Sequence, residues 1–131
     1  MIGLDTNVIV RLLTEDDPIQ LKAAKRLLTA HEGEPGAFFV NDIVLVEVVW
    51  VLRRLFGFEP AQALVAVESL LASDAYAFED RALVVQAHAA CSQRGYEFAD
   101  TLASLKNASR GCKHTATFDK AMRDLPAVRV L

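Results

Sequence analysis

The chain has 131 residues, of which 53% are hydrophobic and 24% charged, and its net charge at pH 7 is −3. This length and hydrophobicity fit one domain with a single core and argue against a disordered chain. No apolar run reaches the roughly 20 residues of a membrane helix, and no signal peptide is evident. We therefore expect one cytoplasmic domain over residues 1–131. The negative charge argues against a broad basic surface for nucleic acid, but it leaves open a nuclease whose acidic site carries metal cations.

The chain opens with a short apolar run, residues 1–4, that stops at Asp5, Thr6 and Asn7 before an apolar pattern resumes. This pattern predicts a buried strand that turns directly into a helix. In parallel α/β sheets, ligands bind at the carboxyl ends of the strands. Asp5 is therefore well placed to hold a cation, although it could instead cap the first helix.

Helical and strand patterns alternate along the rest of the chain. Asp17 is the predicted N-cap of a helix and Pro18 its first residue. This helix is expected to extend to about residue 31. The valine-rich run after Asn41 could be a strand by propensity, but its length, Asp42 as N-cap and Gly57 after its end favour a helix. Further helices are predicted at 60–72, 81–94 and 98–110. Further strands are predicted at 37–40, 75–78, 113–117 and 127–130.

This alternation predicts an α/β fold with a mostly parallel central sheet of four to five strands, flanked by helices on both faces. The helix at 43–55 is apolar on nearly every side. We therefore expect the sheet to cover one face and a second copy of the chain the other, which makes a homodimer. Cys91 and Cys112 lack the spacing of metal ligands and are expected to be reduced structural thiols.

Four acidic residues are candidates for a shared site. Asp5 and Asp119 follow predicted strands, Asp100 lies in a first helical turn, and Glu47 lies in the valine-rich helix. If the strands are parallel, all four face one edge of the sheet. Glu47 and Asp100 have apolar neighbours, and a buried unpaired carboxylate costs several kcal/mol, so Mg²⁺ or Mn²⁺ would be a natural counter-charge. Simpler structural roles stay open, because Asp100 suits the helix dipole and Asp119 suits a turn.

These motifs resemble the PIN domain, and within that family the small VapC-type toxins of type II toxin–antitoxin systems. The resemblance covers essentially the whole chain. It is carried by Leu4-Asp5-Thr6-Asn7, Glu47 in an apolar helix, Ala99-Asp100 followed by Leu102-Ala103, and Thr117-Phe118-Asp119. It implies a Mg²⁺- or Mn²⁺-dependent endoribonuclease, often dimeric, that is held inactive by a cognate antitoxin protein. Its substrate would be RNA, hydrolysed at phosphodiester bonds by a water that the metal activates.

The resemblance also implies a role for each matching residue. The acids Asp5, Glu47, Asp100 and Asp119 would be catalytic. Asp5, Asp100 and Asp119 would be metal ligands, while Glu47 would orient or help deprotonate the water. Thr6, Asn7 and Thr117 would hold the carboxylates in place. One departure is Asp42, where these toxins often have Ser or Thr, and we interpret it as a helix cap and not as a fifth ligand.

Two other functions fit part of the sequence. A phosphoryl-transfer enzyme such as a haloacid-dehalogenase-like phosphatase also places an Asp after its first strand. That chemistry needs a second Asp two residues later, where this chain has Asn7. A non-enzymatic PIN-like module, acting through its interfaces with its acidic site unused, is the other alternative.

Overall fold

The computed structural model describes residues 1–131, which form six α-helices, five short β-strands and one turn of 3₁₀ helix. The helices are α1 (Thr6–Thr14), α2 (Pro18–Ala30), α3 (Asp42–Leu55), α4 (Pro60–Ala72), α5 (Arg81–Arg94) and α6 (Phe98–Ser109). The strands are β1 (Ile2–Gly3), β2 (Phe38–Val40), β3 (Tyr76–Phe78), β4 (Thr115–Thr117) and β5 (Val128–Val130), and the 3₁₀ turn is Lys120–Met122. None of the helices is both long enough and apolar enough to span a bilayer.

The strands pair in parallel throughout, as the alternation of elements predicts. They form a three-stranded sheet in the order β1-β2-β3 and a two-stranded sheet of β4 and β5. The first sheet belongs to a compact unit of residues 1–81 and the second to a compact unit of residues 82–131. The predicted parallel α/β fold is therefore confirmed, with its five strands hydrogen-bonded as a group of three and a group of two.

The core of the first unit is built around β2 and α3. Phe38 of β2 is 1% exposed and pairs with Ile2 on one side and Tyr76 on the other. Helix α3 packs against α1 and α4, and it buries Leu45 and Leu52 completely. The valine-rich run is therefore a helix, because its apolar residues meet neighbouring helices and do not pair with strands.

The boundaries of α2 and α3 follow from capping chemistry. The Asp17 carboxylate accepts the N–H groups of Ile19 and Gln20, as expected for an N-cap before Pro18. Asn41 caps α3, and its side-chain oxygen accepts the Val44 N–H at 2.8 Å. The prediction that Asp42 is this cap is therefore wrong, because α3 begins one residue earlier than expected. Asp42 lies in the first turn, where a negative charge complements the helix dipole.

The buried residues of α5 and α6 in the second unit are mostly small or apolar. Val84, Ala87 and Cys91 of α5 and Phe98 and Leu102 of α6 are its main buried residues. Burial raises the pKa of the Cys91 thiol, so this cysteine is protonated and unreactive at neutral pH. Cys91 and Cys112 are both free thiols, of which Cys91 is buried and Cys112 is exposed.

Two leucines of α3 test this assignment of the core. Leu52 is 0% exposed and Leu55 is 68% exposed. We expect Leu52→Ala to lower the free energy of unfolding by about 2–5 kcal/mol, because it leaves a cavity, and Leu55→Ala to change it by no more than about 0.5 kcal/mol. Urea denaturation of both variants at low protein concentration makes the comparison. Equal losses would contradict the placement of α3.

Candidate functional site

Asp5 lies at the junction of β1 and α1. Its backbone occupies the N-cap position, and its carbonyl accepts the N–H groups of Val8 and Ile9. The Asp5 carboxylate, however, makes no capping hydrogen bond, and the residue is exposed. A simple helix cap uses its side chain in this bond, as Asp17 does. The side chain of Asp5 therefore remains available for another partner.

Thr6 links the first helix to α3. It is 3% exposed, and its hydroxyl donates a hydrogen bond to Glu47 Oε2 at 2.9 Å. This hydrogen bond joins two of the predicted site residues, and the role of Thr6 in holding a carboxylate stays a prediction. Glu47 itself is exposed, so the expectation of a carboxylate buried among valines is wrong. The valines beside it turn inward, and Glu47 lies on the outer side of α3 with Ile43 and Trp50.

Asn7 lies in the wall of a cleft of about 400 Å³ between α1 and α2. Arg11, one turn farther along α1, lines the same cleft, and its guanidinium is held from two sides. Nε donates to Gln20 Oε1 at 2.6 Å, and Nη1 donates to Asp16 Oδ1 at 3.4 Å. The Arg11 guanidinium is therefore held on the same face of α1 as Asn7. Asn7 is two residues after Asp5.

In the second unit, the turn after β4 carries Asp119. The Asp119 carboxylate accepts the Ala121 N–H at 2.9 Å and so caps the 3₁₀ turn. The Asp119 N–H donates to the Thr117 hydroxyl at 3.0 Å. The Thr117 hydroxyl therefore contacts the backbone of Asp119, and its supporting role stays a prediction. The capping bond uses one carboxylate oxygen, Oδ1, of Asp119.

Asp100 lies in the first turn of α6 and is affected by the charge of Asp119. The pKa of Asp100 is raised above its ordinary value, first by burial and then by the negative charges of Asp119 and Glu97. Two of the predicted site residues therefore repel each other in this unit. A cation bound by Asp100 and Asp119 would remove the repulsion. A purely structural role for Asp100 gives no reason for this repulsion.

A second acidic group lies in the first unit and was not predicted. Ligand atoms of Asp42, Glu79 and Asp80 lie within 4.8 Å of one another. Asp42 follows β2, Glu79 and Asp80 follow β3, and these two strands are parallel neighbours. The sequence does carry a signal, since acidic residues follow both strands within two positions. The interpretation of Asp42 as a helix cap obscures it.

Comparison with known proteins identifies the family of this chain. The family profile of the PIN domain matches residues 2–128, so the chain belongs to the PIN domain family. The structure is similar to that of VapC20 from Mycobacterium tuberculosis, described as a toxin that cleaves the sarcin–ricin loop. The two share 21% sequence identity over 98% of this chain and 99% of the other, with a TM-score of 0.45. No curated protein matches the sequence. The resemblance to the PIN domain is therefore confirmed, while the roles of the individual site residues stay predictions.

The burial of Asp100 and its repulsion by Asp119 and Glu97 predict a pH-dependent stability in the absence of metal. Because the folded-state pKa is raised, the charged form of Asp100 destabilises the fold above that pKa, and this cost disappears when pH falls below the ordinary value of 3.8. We expect Asp100→Asn to raise the melting temperature in EDTA at pH 7 but not at pH 3. Thermal melts at both pH values measure this difference.

Asp124→Asn is the matched control for this prediction. Asp124 is exposed in the same unit, and its loss leaves the repulsion between Asp100 and Asp119 in place. This control should melt like the parent at both pH values. If Asp100→Asn gave no increase at pH 7, or an equal increase at pH 3, the predicted cost of the Asp100 charge would be disproved.

Proposed function

We propose that this PIN-domain protein is a metal-dependent endoribonuclease and the toxin of a type II toxin–antitoxin pair. The observation that carries the proposal is the exposed Asp5 carboxylate, which occupies an N-cap position without acting as a cap. Asp5 directly follows a parallel strand, where the active sites of α/β proteins gather. Membership of the PIN domain family supports the same conclusion.

The donor set fits a hard divalent cation. Mg²⁺ and Mn²⁺ prefer oxygen ligands, and the proposed ligands Asp5, Asp100 and Asp119 offer only carboxylate oxygens. Burial, followed by the negative charges of Asp119 and Glu97, raises the pKa of Asp100, so a cation beside it would favour its charged form. When bound, the metal would neutralise charge on the phosphate and lower the pKa of a water.

The remaining residues of the proposed site act on the water and on the RNA. Glu47, oriented by the Thr6 hydroxyl, would accept a proton from the water that attacks the phosphodiester. Thr117 keeps the Asp119 turn in one conformation. Arg11, held by Gln20 and Asp16, would bind a phosphate of the substrate. We assign to Asn7 a supporting role next to Asp5 and Thr6.

A toxin of this kind needs an inhibitor, and we propose a cognate antitoxin protein as the partner. The proposed site is acidic, so an inhibitory segment would contribute Arg or Lys side chains to the carboxylates and pack apolar side chains beside them. The basic side chains of the antitoxin would take the place of the metal as counter-charge to the carboxylates. The bound segment would also occupy the position of the RNA phosphate. A cytoplasmic location, where RNA is available, belongs to the same proposal.

We also propose a homodimer through the C-terminal half of α3, beyond Glu47. Trp50 and Leu55 are 57% and 68% exposed there. A second copy that covered this surface would bury side chains that otherwise contact water. A two-fold arrangement would place the same surface on both subunits.

Substituting Asp5 tests the metal site. Asn has nearly the shape of Asp but lacks the charge, so we expect Asp5→Asn to abolish Mg²⁺- or Mn²⁺-dependent RNA cleavage without weakening α1. At a hundred times its dissociation constant, the metal should stabilise the parent protein by about 2.7 kcal/mol and the variant much less. Cleavage assays and thermal melts with EDTA or Mn²⁺ measure both effects.

Asp17→Ala separates this role from helix capping. Asp17 is a true cap, so its loss should cost about 1 kcal/mol of stability but should preserve both cleavage and the response to metal. If Asp5→Asn behaved like the parent in both assays, Asp5 would not be a ligand.

The dimer prediction is tested at Trp50. We expect the parent to be a dimer by light scattering and Trp50→Glu to be a folded monomer, because the charge would be buried at the interface. Ile19→Glu is the matched control, since Ile19 is 83% exposed on α2, and it should stay dimeric. A monomeric parent at high concentration would refute the proposed interface.

A further inference from the structure

Helix α2 has a basic outer face. Lys22, Lys25 and Arg26 are exposed and lie within little more than one turn. They line an open depression of about 600 Å³ whose other walls are Pro18, Leu21, Thr29 and Ala30. Helix α2 contains no acidic residue, although the whole chain has a net charge of −3. We call the three cations and this depression the α2 basic face.

Neighbouring acids leave the charge of this face largely uncompensated. Lys22 and Arg26 form no ion pair. Lys25 approaches Glu15 at 4.0 Å, but both side chains are at least 60% exposed, so the pair is weak. The nearby Asp17 carboxylate accepts two backbone N–H groups at the start of α2. An anionic ligand would therefore meet positive charges that the protein itself has not neutralised.

We propose that the α2 basic face binds the phosphate backbone of the RNA substrate away from the scissile bond. The proposal rests on the ribonuclease function proposed above and adds a second region of contact with the RNA. Cations three and four residues apart lie side by side on a helix, about 5–6 Å apart at their Cβ atoms. Their flexible stems can then reach neighbouring phosphates. Such contacts position a nucleic acid without reading its sequence.

The position of α2 supports this assignment. Its other side, with Gln20, Ala23 and Leu27, forms the cleft that Asn7 and Arg11 also line. Helix α2 therefore has the basic face on one side. Its other side lies next to Asn7 and Arg11, which follow Asp5 in the chain. RNA bound at Asp5 and Arg11 would have α2 as the next surface along this part of the protein.

The chemistry of the face favours RNA over a protein partner. The centres of protein interfaces are depleted in Lys and enriched in aromatic residues. Two of the three cations here are lysines, and no aromatic residue lines the depression. Lysine acts as a mobile point charge that suits phosphate. An acidic segment of a protein partner is the competing occupant, and the experiment below distinguishes it.

The test is the salt dependence of RNA binding by the full chain. Binding of single-stranded RNA is measured in EDTA, which prevents cleavage, between about 0.1 and 1 M KCl. The triple variant Lys22→Gln, Lys25→Gln, Arg26→Gln should lower the slope of log affinity against log salt by about 2, at about 0.7 for each lost phosphate contact. This change corresponds to roughly 100-fold weaker binding at 0.1 M relative to 1 M salt. The melting temperature should stay that of the parent.

The control removes the same charge elsewhere. Arg54, Arg94 and Arg110 are exposed on three different elements, and their triple change to Gln should leave the slope nearly unchanged. An equal decrease of the salt slope in both triple variants would show an effect of net charge and would overturn the proposal. An unchanged slope in the α2 variant would overturn it too. So would a variant that keeps its RNA affinity but loses affinity for an acidic peptide, since the face would then bind protein.

The cleavage assay separates this inference from the proposed function. With Mn²⁺, the α2 variant should show a higher KM for long RNA and an unchanged kcat. If the parent cleaves no RNA, the proposed function fails, and the binding experiment in EDTA still decides the role of the face. If the parent cleaves RNA and the variant has the same KM and the same salt slope, only the inference fails.

Discussion

Parallel pairing of strands is the constraint on which the rest of the structure depends. Because β1, β2 and β3 run in the same direction, the residues after each of them lie at one edge of their sheet. Asp5 follows β1, Asp42 follows β2, and Glu79 and Asp80 follow β3. In the second unit Asp119 follows β4 in the same way. The fold thus gathers carboxylates, and gathered carboxylates either repel one another or share a cation.

Much of the fold could be predicted from the sequence because local chemistry decides it. Asp17 with Pro18 and Gly57 mark helix ends, and the structure has each of them in that role. The exact cap of α3 could not be predicted, since Asn41 and Asp42 are both good caps and only the tertiary path of the chain chooses between them. The division of the five strands into two sheets likewise depends on which distant strands form hydrogen bonds, and strand patterns do not encode this pairing.

The roles of the candidate site residues stay predictions, although the positions of some of them follow from the sequence. Asp5 and Asp119 lie after strands, the Thr6 hydroxyl contacts Glu47, and the Thr117 hydroxyl contacts the Asp119 backbone. The valines around Glu47 suggest that it is buried, but a helix turns adjacent residues by about 100°, so Val48 is buried while Glu47 is exposed. Asp42 lies close to Glu79 and Asp80 because β2 and β3 are neighbours in the sheet. The sequence pattern does not say which strands are neighbours, so it does not predict this group.

The central claim is that the chain hydrolyses RNA with a water and a divalent metal. Chemical analysis of the RNA ends after cleavage in ¹⁸O-labelled water tests this claim most directly. Attack by water predicts that cleavage requires Mg²⁺ or Mn²⁺, that one ¹⁸O atom enters the new terminal phosphate, and that no cyclic phosphate forms. Cleavage that continues in EDTA and leaves 2′,3′-cyclic phosphate ends would contradict it, because the attacking group would then be the ribose hydroxyl of the RNA.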